Sequence, residues 1–175
     1  MRQPRGTELQ DAETLCNLLM TRRILVAFSV VFSILLSFGC ASLDEKQREW
    51  IFQPSDRAWG GSASYAQGME DVWIEFKSKA TGEKAKLHGL WLEADEPGPN
   101  TPILLYLHGA RWNVSGSAGR MRRMQDMGFA VLGIDYRGFG KSSPGLPSET
   151  TAYEDARRAW AWLAERYPDR PRYVF

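Results

Sequence analysis

The sequence predicts an α/β domain built on a mostly parallel sheet, and three observations predict it. Val72-Trp73-Ile74-Glu75-Phe76 and Lys86–Glu93 flank a Thr81-Gly82 turn and read as a β-hairpin. Two short, unbroken apolar runs, Ile103–Leu107 and Phe129–Ile134, suit strands covered on both faces. Each run is followed by a stretch with helical periodicity, and another strand begins at Arg172. A hairpin followed by strand–helix–strand–helix–strand gives this fold class.

The elements follow in chain order. Met20-Thr21-Arg22-Arg23 precedes an uncharged run from Ile24 to Gly39, and then Cys40. A short basic region, an apolar run and small residues at its end make residues 20–40 a secretory signal. The run is short for a spanning helix, which needs about 20 apolar residues. Residues 1–19 carry Glu8, Asp11 and Glu13, unlike a signal, so translation is expected to start at Met20. From Ala41 to about Glu70 the chain is polar and weakly patterned. Asp44–Trp50 reads as a short helix, and Gly60-Gly61-Ser62-Ala63-Ser64 as a tether or an irregular segment lying on the domain.

The domain proper is expected over 71–175, with a loop at Glu96-Pro97-Gly98-Pro99-Asn100. Ser117 is placed to cap a helix with apolar positions Ala118, Met121 and Met124, ending at Gly128. Thr151-Ala152-Tyr153-Glu154 has the capping-box pattern. Behind it Ala152, Ala156, Ala159, Trp160, Leu163 and Tyr167 form an apolar stripe, and Pro168 stops the helix.

Composition sets the outer limits. A chain of 175 residues, 43% hydrophobic and 25% charged, suits one globular domain. A net charge of +1 without a basic stripe speaks against nucleic acid. Most of the seven Trp and eight Phe are expected in the core. Cleavage before or at Cys40 would remove Cys16, leaving no disulfide to staple the fold.

Two motifs carry chemistry. His108-Gly109-Ala110 ends a buried strand, and Gly109 permits a sharp turn that leaves the Ala110 N–H free to point into a site there. Asp135-Tyr136-Arg137-Gly138-Phe139-Gly140-Lys141-Ser142-Ser143 follows the next strand as a glycine-rich turn. Gly140-Lys141-Ser142 echoes the end of a phosphate-binding P-loop, but the first glycine of that motif falls on Asp135. A carboxylate there would repel phosphate. His88, in Leu87-His88-Gly89-Leu90, reads as an ordinary strand residue.

In order, these motifs resemble the first half of an α/β-hydrolase of the Bem46-like, serine-aminopeptidase-like branch. The D-x-R-G-x-G-x-S turn, Pro147-Ser148-Glu149 and Tyr153-Glu154-Asp155-Ala156 carry the match over about Asp71–Phe175. The resemblance implies that Ala110 supplies one backbone oxyanion donor and that His108 and Gly109 shape its loop. It implies that Arg111, Trp112 and Asn113 line the pocket mouth, and that Asp135, Arg137, Gly138 and Gly140 brace the site. It further implies a small-molecule ester, amide or related acyl substrate, with no metal or other cofactor.

In this family the next strand leads into a Gly-x-Ser-x-Gly elbow, and the acid and base follow it. No Gly-x-Ser-x-Gly occurs in the 175 residues. They are therefore expected to lack nucleophile, acid, base and second oxyanion donor, to stop inside the nucleophile strand, and to be inactive alone. The family's third strand lies between its fourth and fifth, so Ile103–Leu107 is expected to lose most of one neighbour and to favour aggregation. The rival class is a non-catalytic membrane-surface binding module.

Cys40 likewise resembles the lipidated cysteine of bacterial lipoproteins, with Gly39, Ala41 and Ser42 fitting and Ser37 and Phe38 departing from the usual pattern. Ordinary signal-peptidase cleavage and an uncleaved anchor are the alternatives. All three imply export to the cell envelope, and lipidation would attach the chain to the membrane.

Overall fold

The computed structural model describes the backbone of residues 6–57 and 64–175, with side chains described at 18–34, 43–57 and 64–175. The side chain of Cys40 and residues 1–5 lie outside the described residues, and so do the glycines at 60 and 61. The chain divides into two units, residues 1–45 and 46–175. Helix α1 runs over Gly6–Phe52. Between residues 18 and 34 its large apolar side chains, such as Phe28 and Phe32, are exposed. Among the described residues, no helix is long and apolar enough to cross a membrane.

Residues 46–175 hold a five-stranded sheet. The strands are β1 (Glu70–Lys77), β2 (Lys84–Leu92), β3 (Ile103–Leu107), β4 (Ala130–Ile134) and β5 (Arg172–Val174). They lie in the order β1-β2-β4-β3-β5. β1 pairs antiparallel with β2, and β2 antiparallel with β4. β3 lies parallel to both β4 and β5. The expected crossover of β3 between β4 and β5 is therefore present.

Helices cover both faces, which explains why β3 and β4 are apolar throughout. On one face α3 (Glu149–Arg166) places Ala159 and Leu163 against Leu87, Trp91, Ile103, Leu105, Leu132 and Ile134. On the other, α2 (Ala118–Asp126) places Met121 against Leu90, Tyr106, Val114 and Val131. The alternation of Leu105 and Tyr106 between the two cores is the two-residue strand period. Tyr167 closes the first core by stacking on Trp91 with ring centroids 5.0 Å apart.

Four expectations are corrected. The capping box of α3 uses Ser148, whose hydroxyl accepts from the Thr151 N–H while Thr151 reaches back to the Ser148 N–H. Glu154 is taken instead by Ser78, the Lys79 N–H and Arg137. Ser117 makes no side-chain cap; a 3-10 turn over Val114–Ser117 leads into α2, and the Ala118 N–H donates to Ser115 O. The buried stripe of α3 is Asp155, Ala159 and Leu163, and Trp160 faces outward. A charged residue joins the stripe because a buried arginine waits for it, as described below. Finally, β3 keeps its neighbour along its whole length. Ile103 and Leu107 donate to the carbonyls of Pro171 and Phe175, and Phe175 donates to Leu105.

Candidate active site

Both parallel inner strands, β3 and β4, end on the same side of the sheet, and the two motif loops leave them there. In open α/β sheets this is the side on which ligands bind. After β3 the chain passes through His108-Gly109-Ala110 and then holds Arg111 and Trp112 in the left-handed region, at φ 67° and 58°. For non-glycine residues that costs about 1–3 kcal/mol each. Neighbouring contacts over-determine the loop. Arg111 N–H donates to Phe52 O at 3.0 Å, and Asn113 N–H to Arg57 O at 3.1 Å. The Asn113 side-chain amide donates to Asp56 O at 2.7 Å. Residues 52–57 thus lie against the loop that follows β3.

Asp135 is the anchor common to both loops. It is 1% exposed, and its Oδ1 accepts the Val114 N–H at 2.6 Å. His88 Nδ1 meets Oδ2 at 3.1 Å, and His108 Nε2 stands 3.5 Å from Oδ1. Burial pushes this carboxyl upward, but the two histidines and the Val114 N–H together hold it below the ordinary carboxylate range. His108 itself pairs its Nδ1 with Gly109 O at 2.7 Å and stands edge-on to Tyr136 and Phe139.

The glycine-rich turn is pinned from three sides. Ser142 donates to Asp135 O at 2.7 Å and accepts the His88 N–H at 2.9 Å. Ser143 exchanges two hydrogen bonds with the Lys86 backbone. Gly140 N–H donates to Ser55 O at 3.1 Å. Gly138 and Gly140 both have positive φ, at 88° and 49°. A Cβ at Gly140 would overlap the Asp135 carboxylate, and one at Gly138 would overlap Gly145 O. Only glycine satisfies both the backbone angle and the space.

Arg137 braces the far end of this turn. Its Nε donates to Asp155 Oδ1 at 2.7 Å, and its backbone N–H donates to Oδ2 at 2.9 Å. The guanidinium also donates to Ser78 Oγ at 2.9 Å and Glu154 Oε2 at 2.7 Å, and lies over the Phe76 ring. Burial pushes Asp155 up to about 6 despite these bonds. Glu154 is also penalised by burial, yet Ser78, the Lys79 N–H and Arg137 bring it down to about 2.

Between the loops lies a pocket of about 160 Å³, lined by Phe52, His108, Gly109, Ala110, Tyr136, Phe139, Pro147 and Ala152. It is chiefly apolar, with Ala110 in its lining. Burial, and then the charge of Asp155, push the Tyr136 phenol up to about 12, so it keeps its proton. Arg111, Trp112 and Gly138 line a wider neighbouring depression of about 600 Å³ with residues 53–57. Sequence reasoning did not single out Phe52, Tyr136, Phe139 or Ala152 as pocket residues. Tyr136 and Phe139 sit inside the quoted motif, whereas nothing in the local pattern marks Phe52. Among the described residues no group of three His, Cys, Asp or Glu could hold a metal ion.

Comparison with known proteins agrees with this geometry. A family model described as serine aminopeptidase, S33, matches residues 98–175. The chain is similar to lysophosphatidylserine lipase ABHD12 of Rattus norvegicus, 31% identical over 134 residues, which cover 70% of this chain and 32% of that protein. The Gallus gallus counterpart is 36% identical over 134 residues, covering 70% and 34%. The chain thus spans about a third of the length of these relatives. Among solved structures, the Pyrococcus furiosus esterase Pf2001 superposes with a TM-score of 0.52 at 20% identity, covering 69% of this chain and 44% of the esterase. That likeness concerns the fold alone. With the sheet order, the two motif loops and these matches in agreement, the chain belongs to the α/β-hydrolase superfamily.

Proposed function

We propose that residues 71–175 supply the first half of a serine hydrolase that cleaves a carboxylic ester or related acyl bond. The carrying observation is the apolar pocket at the carboxyl ends of β3 and β4, with Ala110 in its lining. A backbone N–H on this loop is one of the two oxyanion donors of the fold, the other being the N–H after the nucleophile. In this reading the substrate carbonyl enters the pocket beside Ala110, and its acyl chain contacts Phe52, Tyr136 and Phe139. Arg111 and Arg57 outnumber Asp56 in the neighbouring depression, which favours a substrate with an anionic head, in keeping with the lipid named for the relatives.

The 175 residues contain no Gly-x-Ser-x-Gly, and without a nucleophile and base there is no covalent acyl transfer. The purified 175-residue protein is therefore expected neither to hydrolyse p-nitrophenyl esters nor to react with a fluorophosphonate. A protein from the same reading frame that continues through an elbow serine is expected to do both. Labelling of the 175-residue protein at a serine would overturn the assignment.

The same reading keeps the protein at the cell envelope through Cys40. Growth with an alkyne-tagged palmitate should label the protein, and Cys40→Ser should abolish the label. Undiminished label in that variant would remove the lipid anchor from the account.

A further inference from the structure

His88 is a buried titratable group that the proposed chemistry does not use, and both its ring nitrogens face carboxylates. It is 2% exposed. Nε2 lies 2.5 Å from Asp71 Oδ1, and Nδ1 lies 3.1 Å from Asp135 Oδ2. A neutral imidazole has one N–H, so it would turn a bare lone pair toward one of the two anions. A protonated ring satisfies both, and the two carboxylates offset the cost of burying its charge.

The surroundings agree with a cation flanked by anions. On β1, Asp71 is half-exposed and also receives Lys141 Nζ at 3.3 Å, while Trp73 packs its ring 4.9 Å from the imidazole. Lys86 lies over the Trp73 ring, 4.2 Å from its centroid, and pairs with Glu75 at 3.4 Å. Behind Asp135 stands His108. Burial works against the charged ring, but the bonds to Asp135 and Asp71 raise the His88 pKa above its ordinary value. Asp71 is held below the ordinary range, chiefly by the bond from His88.

We infer that His88 is a buried imidazolium acting as a positioning residue, fixing Asp135 as the anchor of the 108–114 loop, and that Asp71 at the sheet edge sets its proton occupancy. With Oδ2 held by His88, Oδ1 of Asp135 is aimed at the Val114 N–H, and the loop carrying Ala110 is seated. Because the folded pKa is raised, this support is complete below pH about 6.5 and is lost as pH rises through the folded pKa. The link to catalysis rests on the hydrolase reading. The test below reads protons and amides only, so its failure and the failure of that reading are separate.

The chain has only two histidines, so ¹⁵N-histidine labelling of the full chain in detergent gives two assignable rings. His88 is expected to show both ring nitrogens protonated at pH 6, with a midpoint above 6.5. Asp71→Asn should lower that midpoint by about one unit or more. His88→Gln should cut the exchange protection of the Val114 amide by about tenfold at pH 6, a loss that the wild type shows only above its own midpoint. A neutral His88 at pH 6, or a midpoint unmoved by Asp71→Asn, would overturn the inference. Both observations stand even if His88→Gln does not fold.

Discussion

Arg137→Met should be the most destabilising single change in the domain, at about 3–5 kcal/mol, because it leaves a buried carboxylate without its partner. Arg137 and Asp155 are 7% and 0% exposed, and together they join the turn after β4 to helix α3. The loss should depend on pH. Asp155 is raised to about 6 when folded from an ordinary 3.8, so folding favours its protonated form. Its ionisation therefore costs stability as pH rises from about 4 through about 6. Without Arg137 that cost grows, and Arg137→Met should be milder at pH 5 than at pH 8. Adding Asp155→Leu should recover at least half of the loss, because an apolar pair needs no compensation. Urea unfolding followed by tryptophan fluorescence checks each value. Equal stability of Arg137→Met and wild type at pH 8 would show that the guanidinium is not the brace described.

In a catalytically complete protein, Ala110→Pro should lower kcat by about 10²–10³ with little change in KM, since one oxyanion donor has that typical weight. Proline removes only the N–H and fixes φ. Ala110→Gly keeps the N–H and should stay within a few-fold of wild type. Ester hydrolysis under saturating substrate separates the two variants. A fully active Ala110→Pro enzyme would move the donor to another residue.

The parts of the fold legible in the sequence were those where burial leaves a pattern. β3 and β4 are covered on both faces by α2 and α3, so their apolar runs are unbroken and announce inner strands. The turn from Asp135 to Ser143 was legible because Gly138 and Gly140 must be glycine for reasons of angle and space. What escaped depends on partners distant in sequence. Asp155 looks like a solvent-facing charge until Arg137, 18 residues earlier, is brought beneath it. His88 looks like a strand filler until Asp71 and Asp135 close on its two nitrogens. Residues 52–57 hold the loop after β3 through backbone carbonyls, and carbonyls leave no trace in side-chain pattern.

The most direct test of the oxyanion assignment is a crystal structure of the complete protein after reaction with a fluorophosphonate. The phosphonyl oxygen stands where the oxyanion would form. It should lie about 2.7–3.1 Å from the Ala110 nitrogen, the distance expected of an oxyanion donor. A phosphonyl oxygen bound by other donors, with the Ala110 N–H turned away, would contradict the account.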